Sequence, residues 1–90
     1  MEIEFDPAKH MKTLEERGLD FARADEVFAG VTVTAPDTRI NCNEPRFITF
    51  GLLDGRLLVL VWTQRGKVRR IISMRKANER EIATFTSLLG

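Results

Sequence analysis

Between Arg46 and Lys76 the chain reads as three β-rich runs, Arg46–Leu53, Arg56–Gln64 and Val68–Lys76, separated by Asp54-Gly55 and by a short turn containing Gly66. An Asp-Gly pair between two such runs supplies the left-handed backbone that a tight hairpin turn demands, so consecutive strands fold back on one another. Three strands joined in this way make an antiparallel meander. The middle one carries the uninterrupted apolar run Leu57 to Trp62. A strand that is apolar on both sides belongs in the centre of a sheet covered above and below. The rest of the chain must therefore supply covering layers. In Val68–Lys76, strict alternation puts Val68, Arg70, Ile72 and Met74 on one face and Arg69, Ile71, Ser73 and Arg75 on the other. The second set is the expected working face.

The covering elements are legible on both sides of the meander. Met1–Phe5 alternates acidic and apolar residues, as a short half-buried strand does. Asp6-Pro7 then pairs a favoured N-cap with a proline at the first helical position, predicting a helix from Pro7 to about Glu16, stopped by Gly18. Asp20 caps a second helix, in which Phe21, Ala24, Val27 and Phe28 share a face before Gly30 ends it. Val31–Ala35 reads as a strand, and Pro36 to Pro45 as a polar loop. Asn78 caps a last helix, Glu79 to Leu89, with an apolar stripe of Ile82, Phe85, Leu88 and Leu89. The expected class is α+β: an antiparallel sheet, made of the C-terminal meander plus the N-terminal strand, packed with two N-terminal helices and one C-terminal helix.

Ninety residues close one hydrophobic core, so residues 1–90 are expected to form a single domain with a thin stability margin. The longest apolar run is far shorter than the roughly twenty residues of a membrane-spanning helix. Glu2, Glu4 and Asp6 stand where a secretory signal carries basic residues, so a cytoplasmic location is expected. One cysteine, Cys42, and one histidine, His10, allow no internal disulfide and no thiolate cluster. No metal and no cofactor is expected.

The net charge of +1 hides an asymmetry. Residues 1–45 hold five basic and ten acidic side chains, a balance of −5, whereas residues 46–90 hold nine basic and three acidic, a balance of +6. Arginines gathered on one sheet make a field that attracts polyanions such as nucleic acid. Solvated strand faces also suit arginine, so the charge alone does not decide.

A set of residues carries a family resemblance: Phe5-Asp6-Pro7, Lys9, Arg17-Gly18-Leu19-Asp20-Phe21, Val27-Phe28, Glu44 with Arg46, Gly51, Thr63 with Arg65, Ile72-Ser73-Met74-Arg75-Lys76-Ala77, and Glu81. In this order they are similar to the pattern of BrnT proteins over nearly the whole chain, most specifically in the segment Ile72 to Ala77 followed by the helix bearing Glu81. The resemblance implies a RelE-like toxin fold, endoribonuclease activity that arrests translation, and neutralisation by a BrnA-like antitoxin that supplies DNA binding. The chain departs from many relatives at Thr13, Arg17, Ile82 and Phe85, where they carry other polar groups, and at Asn41-Cys42-Asn43.

RNA cleavage without a metal needs a base for the 2′-hydroxyl, an acid for the leaving 5′-oxygen and cations for the developing negative charge. Arginine suits the last task because its planar fork holds two phosphate oxygens and stays charged. Arg65 and Arg75 match the family motif and stand at the ends of adjacent strands, so they are the first candidates for catalysis, with Glu81 as the best-placed carboxylate. Arg46, Arg69 and Lys9 are candidates for RNA binding. A carboxylate among arginines is a weak base, so Glu81 fits the anchoring of Arg75 or Arg65 better than proton transfer; Glu44 is the second carboxylate. His10 lies at a variable helix position, and Trp62 shares the face of Leu58 and Leu60, which fits core packing. The chain has no tyrosine, which excludes a tyrosine-assisted step of its own. Against the ribonuclease stands a non-catalytic or degraded toxin fold that only docks an antitoxin. Direct DNA binding is disfavoured, since no helix combines basic residues with a helix-turn-helix spacing.

Overall fold

The computed structural model describes residues 2–38 and 44–89. Asn41, Cys42 and Asn43, named above, lie outside the described residues. The order of elements is β1 (Glu2–Phe5), α1 (Pro7–Arg17), the 3-10 turn Phe21–Arg23, α2 (Ala24–Ala29), β2 (Thr32–Pro36), β3 (Arg46–Leu53), β4 (Arg56–Arg65), β5 (Val68–Lys76) and α3 (Glu79–Leu89). The strands form one five-stranded sheet in the order β1-β5-β4-β3-β2. The α+β class and the meander are as expected, and the β3–β4 turn takes its left-handed form at both Asp54 (φ 53°) and Gly55 (φ 79°).

Three local expectations are corrected. The sheet is mixed, because β1 runs parallel to β5, with Glu2 opposite Val68 and Phe5 opposite Ile71. A parallel neighbour needs a long crossover, and everything between β1 and β5 supplies it. The second helix opens with a 3-10 turn, in which the Asp20 side chain accepts from Ala22 N, before the α geometry begins at Ala24. The strand read as Val31–Ala35 extends through Pro36, which is permitted because β2 is an edge strand and its proline needs no ladder partner on the open side. The caps of α1 form as expected. Asp6 accepts from Ala8 N, and Gly18, left-handed at φ 68°, donates its N–H to the Leu14 carbonyl.

The main core lies on one face of the sheet, where Leu58, Leu60, Trp62, Ile71 and Met74 meet Leu19, Phe21, Ala24 and Val27. Burying each of the larger side chains contributes roughly 1.5–3 kcal/mol. Gly51 is required beneath α2: a Cβ there would stand 2.6 Å from Val27 Cγ1. The opposite face is covered more thinly by α3, whose Phe85 is buried together with Leu57 and Val59. Beside it a shallow cavity of about 190 Å³ opens between Phe85, Val33 and Phe50. Since β1 spans only Val68–Ile71, the later half of β5 has an open edge. There Arg17 Nη1 donates to the Met74 carbonyl at 3.0 Å.

Candidate nucleic-acid interface

A bulge decides which arginines meet. Trp62 pairs with Ile71 but Val61 pairs with Ser73, so Ile72 is the extra residue on β5. Strict alternation fails at that point and the strand changes parity. Arg69, Ile71 and Met74 consequently share the face of α1 and α2, while Arg70, Ser73 and Arg75 share the face of α3. Arg70 thus takes the place expected for Arg69. The signal was present in the sequence: two core residues spaced by three, Ile71 and Met74, cannot both face one side of an unbroken strand.

On the α3 side, cross-strand pairing sets Glu4 opposite Arg70, Arg70 opposite Thr63, and Thr63 opposite Arg46. This row crosses β1, β5, β4 and β3. Arg46 and Arg70 are two strands apart, about 10 Å between backbones, and Arg65 follows Thr63 on the same face of β4 one pleat further on. Three arginine positions therefore flank Thr63 on this face. Thr63 itself is buried, and its Oγ1 donates to the Pro45 carbonyl at 2.6 Å, which ties the segment entering β3 to β4. That bond fixes the positions of Arg46 and Glu44. Arg65 Nε stands 3.3 Å from Glu44 Oε2, both side chains about half exposed. Arg70 Nη1 pairs with Glu4 Oε1 at 2.7 Å. Exposed pairs of this kind are weak, so a phosphate can compete for the arginines.

Arg75 and Glu81, two of the three residues singled out for catalysis, sit together elsewhere. Arg75 Nη1 and Nη2 each stand 2.8 Å from a different oxygen of Glu81. Glu81 Oε1 also accepts from Asn78 N at 2.9 Å, and Glu81 N donates to Asn78 Oδ1 at 2.8 Å. The carboxylate closes a capping box and pins α3 to β5. Arg75 lies level with Val59, whereas Arg65 lies level with Val68. Six residues of β4 separate the two levels, about 20 Å. The arginines share a face but do not converge.

The other side of the sheet holds the remaining candidates. Lys9 is exposed on α1, which packs against the 3-10 turn. His10 Nε2 is 2.6 Å from Asp20 Oδ1, and its ring is packed between Phe5 and Phe21 at centroid distances of 4.7 and 6.0 Å. It clips α1 to the 3-10 turn, far from the row of arginines. Trp62 is buried and donates Nε1–H to Thr49 Oγ1 at 2.8 Å. The Arg69 guanidinium lies 4.0 Å from the Phe28 ring centroid and 5.1 Å from that of Trp62. Burial pushes its pKa below the ordinary value, yet a guanidinium starts high enough to remain charged. Among the described residues no group of three or more histidine, cysteine, aspartate or glutamate side chains is arranged to hold a metal. Among the described residues no helix is long and apolar enough to cross a membrane.

No curated protein matches the chain. The family model described as "Ribonuclease toxin, BrnT, of type II toxin-antitoxin system" matches residues 5–81, a span that runs from the last residue of β1 to Glu81 and includes Arg46, Arg65, Arg70 and Arg75. The protein, with its basic sheet face and its acid-tethered last helix, belongs to the BrnT family of ribonuclease toxins of type II toxin–antitoxin systems.

Proposed function

We propose that the chain cleaves RNA without a metal ion, at the cluster of Arg46, Arg65 and Arg70 around Thr63, and that it arrests translation in the cytoplasm until a BrnA-like antitoxin silences it. The observation that carries this reading is the register that sets Arg46, Arg65 and Arg70, on three neighbouring strands, around Thr63 on one face of the sheet. Their planar forks grip the phosphodiester and stabilise the charge that grows on it as the 2′-oxygen attacks phosphorus. As the new P–O2′ bond forms, the P–O5′ bond breaks; Glu44, beside Arg65, takes the 2′-proton, and the leaving oxygen draws its proton from solvent. The products are a 2′,3′-cyclic phosphate and a free 5′-hydroxyl. Arg75 extends the basic track along the same face, and Glu81, with both oxygens engaged, positions Arg75 and the start of α3. Arg69 and Lys9, on the other face, take no part in gripping the scissile phosphate. The antitoxin carries the DNA contacts.

The test is a cleavage assay on a synthetic RNA in excess chelator, beside the same RNA bearing 2′-deoxyribose at the cut site. Cleavage of the first and survival of the second is the expected result. A competing reading, a toxin fold that binds but does not cut, draws on the pairing of Arg65, Arg70 and Arg75 with Glu44, Glu4 and Glu81. Intact RNA in both arms would favour it.

A further inference from the structure

Arg69 stands apart from the other arginines of the sheet. Its Nε is buried and has no hydrogen-bond partner, and its guanidinium enters no ion pair among the described residues. The plane rests on Phe28 and Trp62, two rings that are themselves in edge contact at a centroid distance of 5.6 Å. Trp62 is in turn fixed by its bond to Thr49, whose Oγ1 also meets Thr34 Oγ1 at 2.8 Å. A cation has thus been partly stripped of water and held against the two rings, with no acidic side chain paired to it among the described residues. The residue as a whole is only half-buried, so a planar anion arriving from solvent can bond the outer nitrogens of the fork.

We infer that Arg69 is the receptor for a carboxylate of the antitoxin, on the face of the sheet opposite the RNA site. The toxin reading supplies the identity of the partner, and the anchor itself follows from the geometry. The side chains sharing this face on the neighbouring strands, Ile3, Phe5, Leu60, Trp62 and Gln64, carry no charge. An RNA backbone binds through several cations spread along its phosphates, and the strand positions around Arg69 add none. A lone, rigid arginine framed by aromatic rings has instead the make-up of a protein–protein hot spot, where a planar bidentate partner displaces the last water. Antitoxin held on this face leaves the arginine cluster on the other face unblocked by that contact, so the two ligands are separable by mutation.

The experiment uses the full chain and an intact BrnA-like antitoxin. Dissociation constants are measured for the wild type, Arg69→Lys and Arg69→Gln, together with RNA cleavage by each free protein. Arg69→Gln should weaken antitoxin binding by at least about 30-fold, and Arg69→Lys, which keeps the charge but loses the fork, by about tenfold. Cleavage should stay within about twofold, because Arg69 lies on the face of the sheet away from Arg46, Arg65 and Arg70. A second measurement needs no variant: the Arg69 Nε–H resonance of the wild type should shift when antitoxin is added and stay in place when a 2′-deoxy-blocked RNA is added. Unchanged antitoxin affinity in both variants, or a resonance that moves with RNA and not with antitoxin, would overturn the inference in favour of a phosphate contact or a purely structural arginine. Weakened antitoxin binding in the two variants, together with a wild type that cuts no RNA, would sink the nuclease and leave the anchor standing.

Discussion

The two faces of the sheet are built for different ends. Under α1 and α2 the strands present Leu58, Leu60, Trp62, Ile71 and Met74, all nearly sealed from water. Toward α3 they present Arg46, Arg65, Arg70 and Arg75 together with partly buried Ile48, Phe50 and Val61, and the fully buried apolar cover is confined to Phe85, Leu57 and Val59. Apolar burial supplies most of the folding free energy, so stability is concentrated on the first face. The second is left free to hold charges that would be costly to bury. The toxin's chemistry can therefore be changed without unfolding it, and its core can be weakened without touching an arginine.

The largest expected effect breaks the buried face. Leu60, 0% exposed, changed to Ala should cost about 3 kcal/mol of unfolding free energy in a urea titration, from lost transfer energy and the cavity left behind. A loss below about 1 kcal/mol would mean that this face is not the seat of stability. Next comes Gly51→Ala, whose Cβ would meet Val27 Cγ1 at 2.6 Å and Thr32 Cγ2 at 3.1 Å. α2 must shift from β3, and a loss of about 1–3 kcal/mol is expected by the same titration.

The α3 face should respond differently. Glu81→Gln removes the charge that holds Arg75, a pair whose side chains are 20% and 40% exposed. Solvent screening limits the global loss to under about 1 kcal/mol. The amides of α3 should nevertheless exchange with deuterium faster while those of β4 do not, because the helix opens as a local unit. Equal acceleration in both would show that the two faces form one cooperative block.

The smallest effect concerns the exposed network of Arg23 with Glu26 and Asp54, which links α2 to the β3–β4 turn. Hydrogen bonds from Arg23 hold the carboxyls of Glu26 and Asp54 below their ordinary values of 4.5 and 3.8. Depressed carboxyl pKa values stabilise the fold above those ordinary values, and the contribution is lost as pH falls below them and through the folded-state values. Arg23→Ala should therefore lower the melting temperature slightly near neutrality and leave a shallower decline on acidification. Parallel acid limbs for variant and wild type would remove the network from the account of stability.

How far these faces were legible in the sequence depended on whether the cue was local. Asp6-Pro7, Asp54-Gly55 and Asn78 each act on the next few backbone groups, and the elements they begin or turn are found at those positions. The direction of β1 was not readable, because nothing in Glu2–Phe5 states which strand it will join. The arginine cluster was half readable. Arg46 begins a strand at the position read for it, whereas Arg65, read as lying just past a strand ending at Gln64, is the last residue of β4. Arg69 and Arg70 lie before the bulge at Ile72, and a one-residue slip exchanges the faces of everything on one side of it. The nearness of Arg75 to Arg65 was inferred from strand ends, whereas the antiparallel register places them at opposite ends of β4.

The most direct test of the division between faces is single-turnover RNA cleavage, in chelator, by Arg46→Ala/Arg65→Ala beside wild type and Arg69→Gln. A site that works by gripping phosphate should lose at least about 100-fold in rate in the double variant, about 2.7 kcal/mol of transition-state stabilisation. Its melting temperature should stay within a degree or two, as expected for exposed substitutions outside the core, and Arg69→Gln should cut at nearly the wild-type rate. Undiminished cleavage by the double variant, or an equal loss in Arg69→Gln, would contradict the assignment of catalysis to the α3 face.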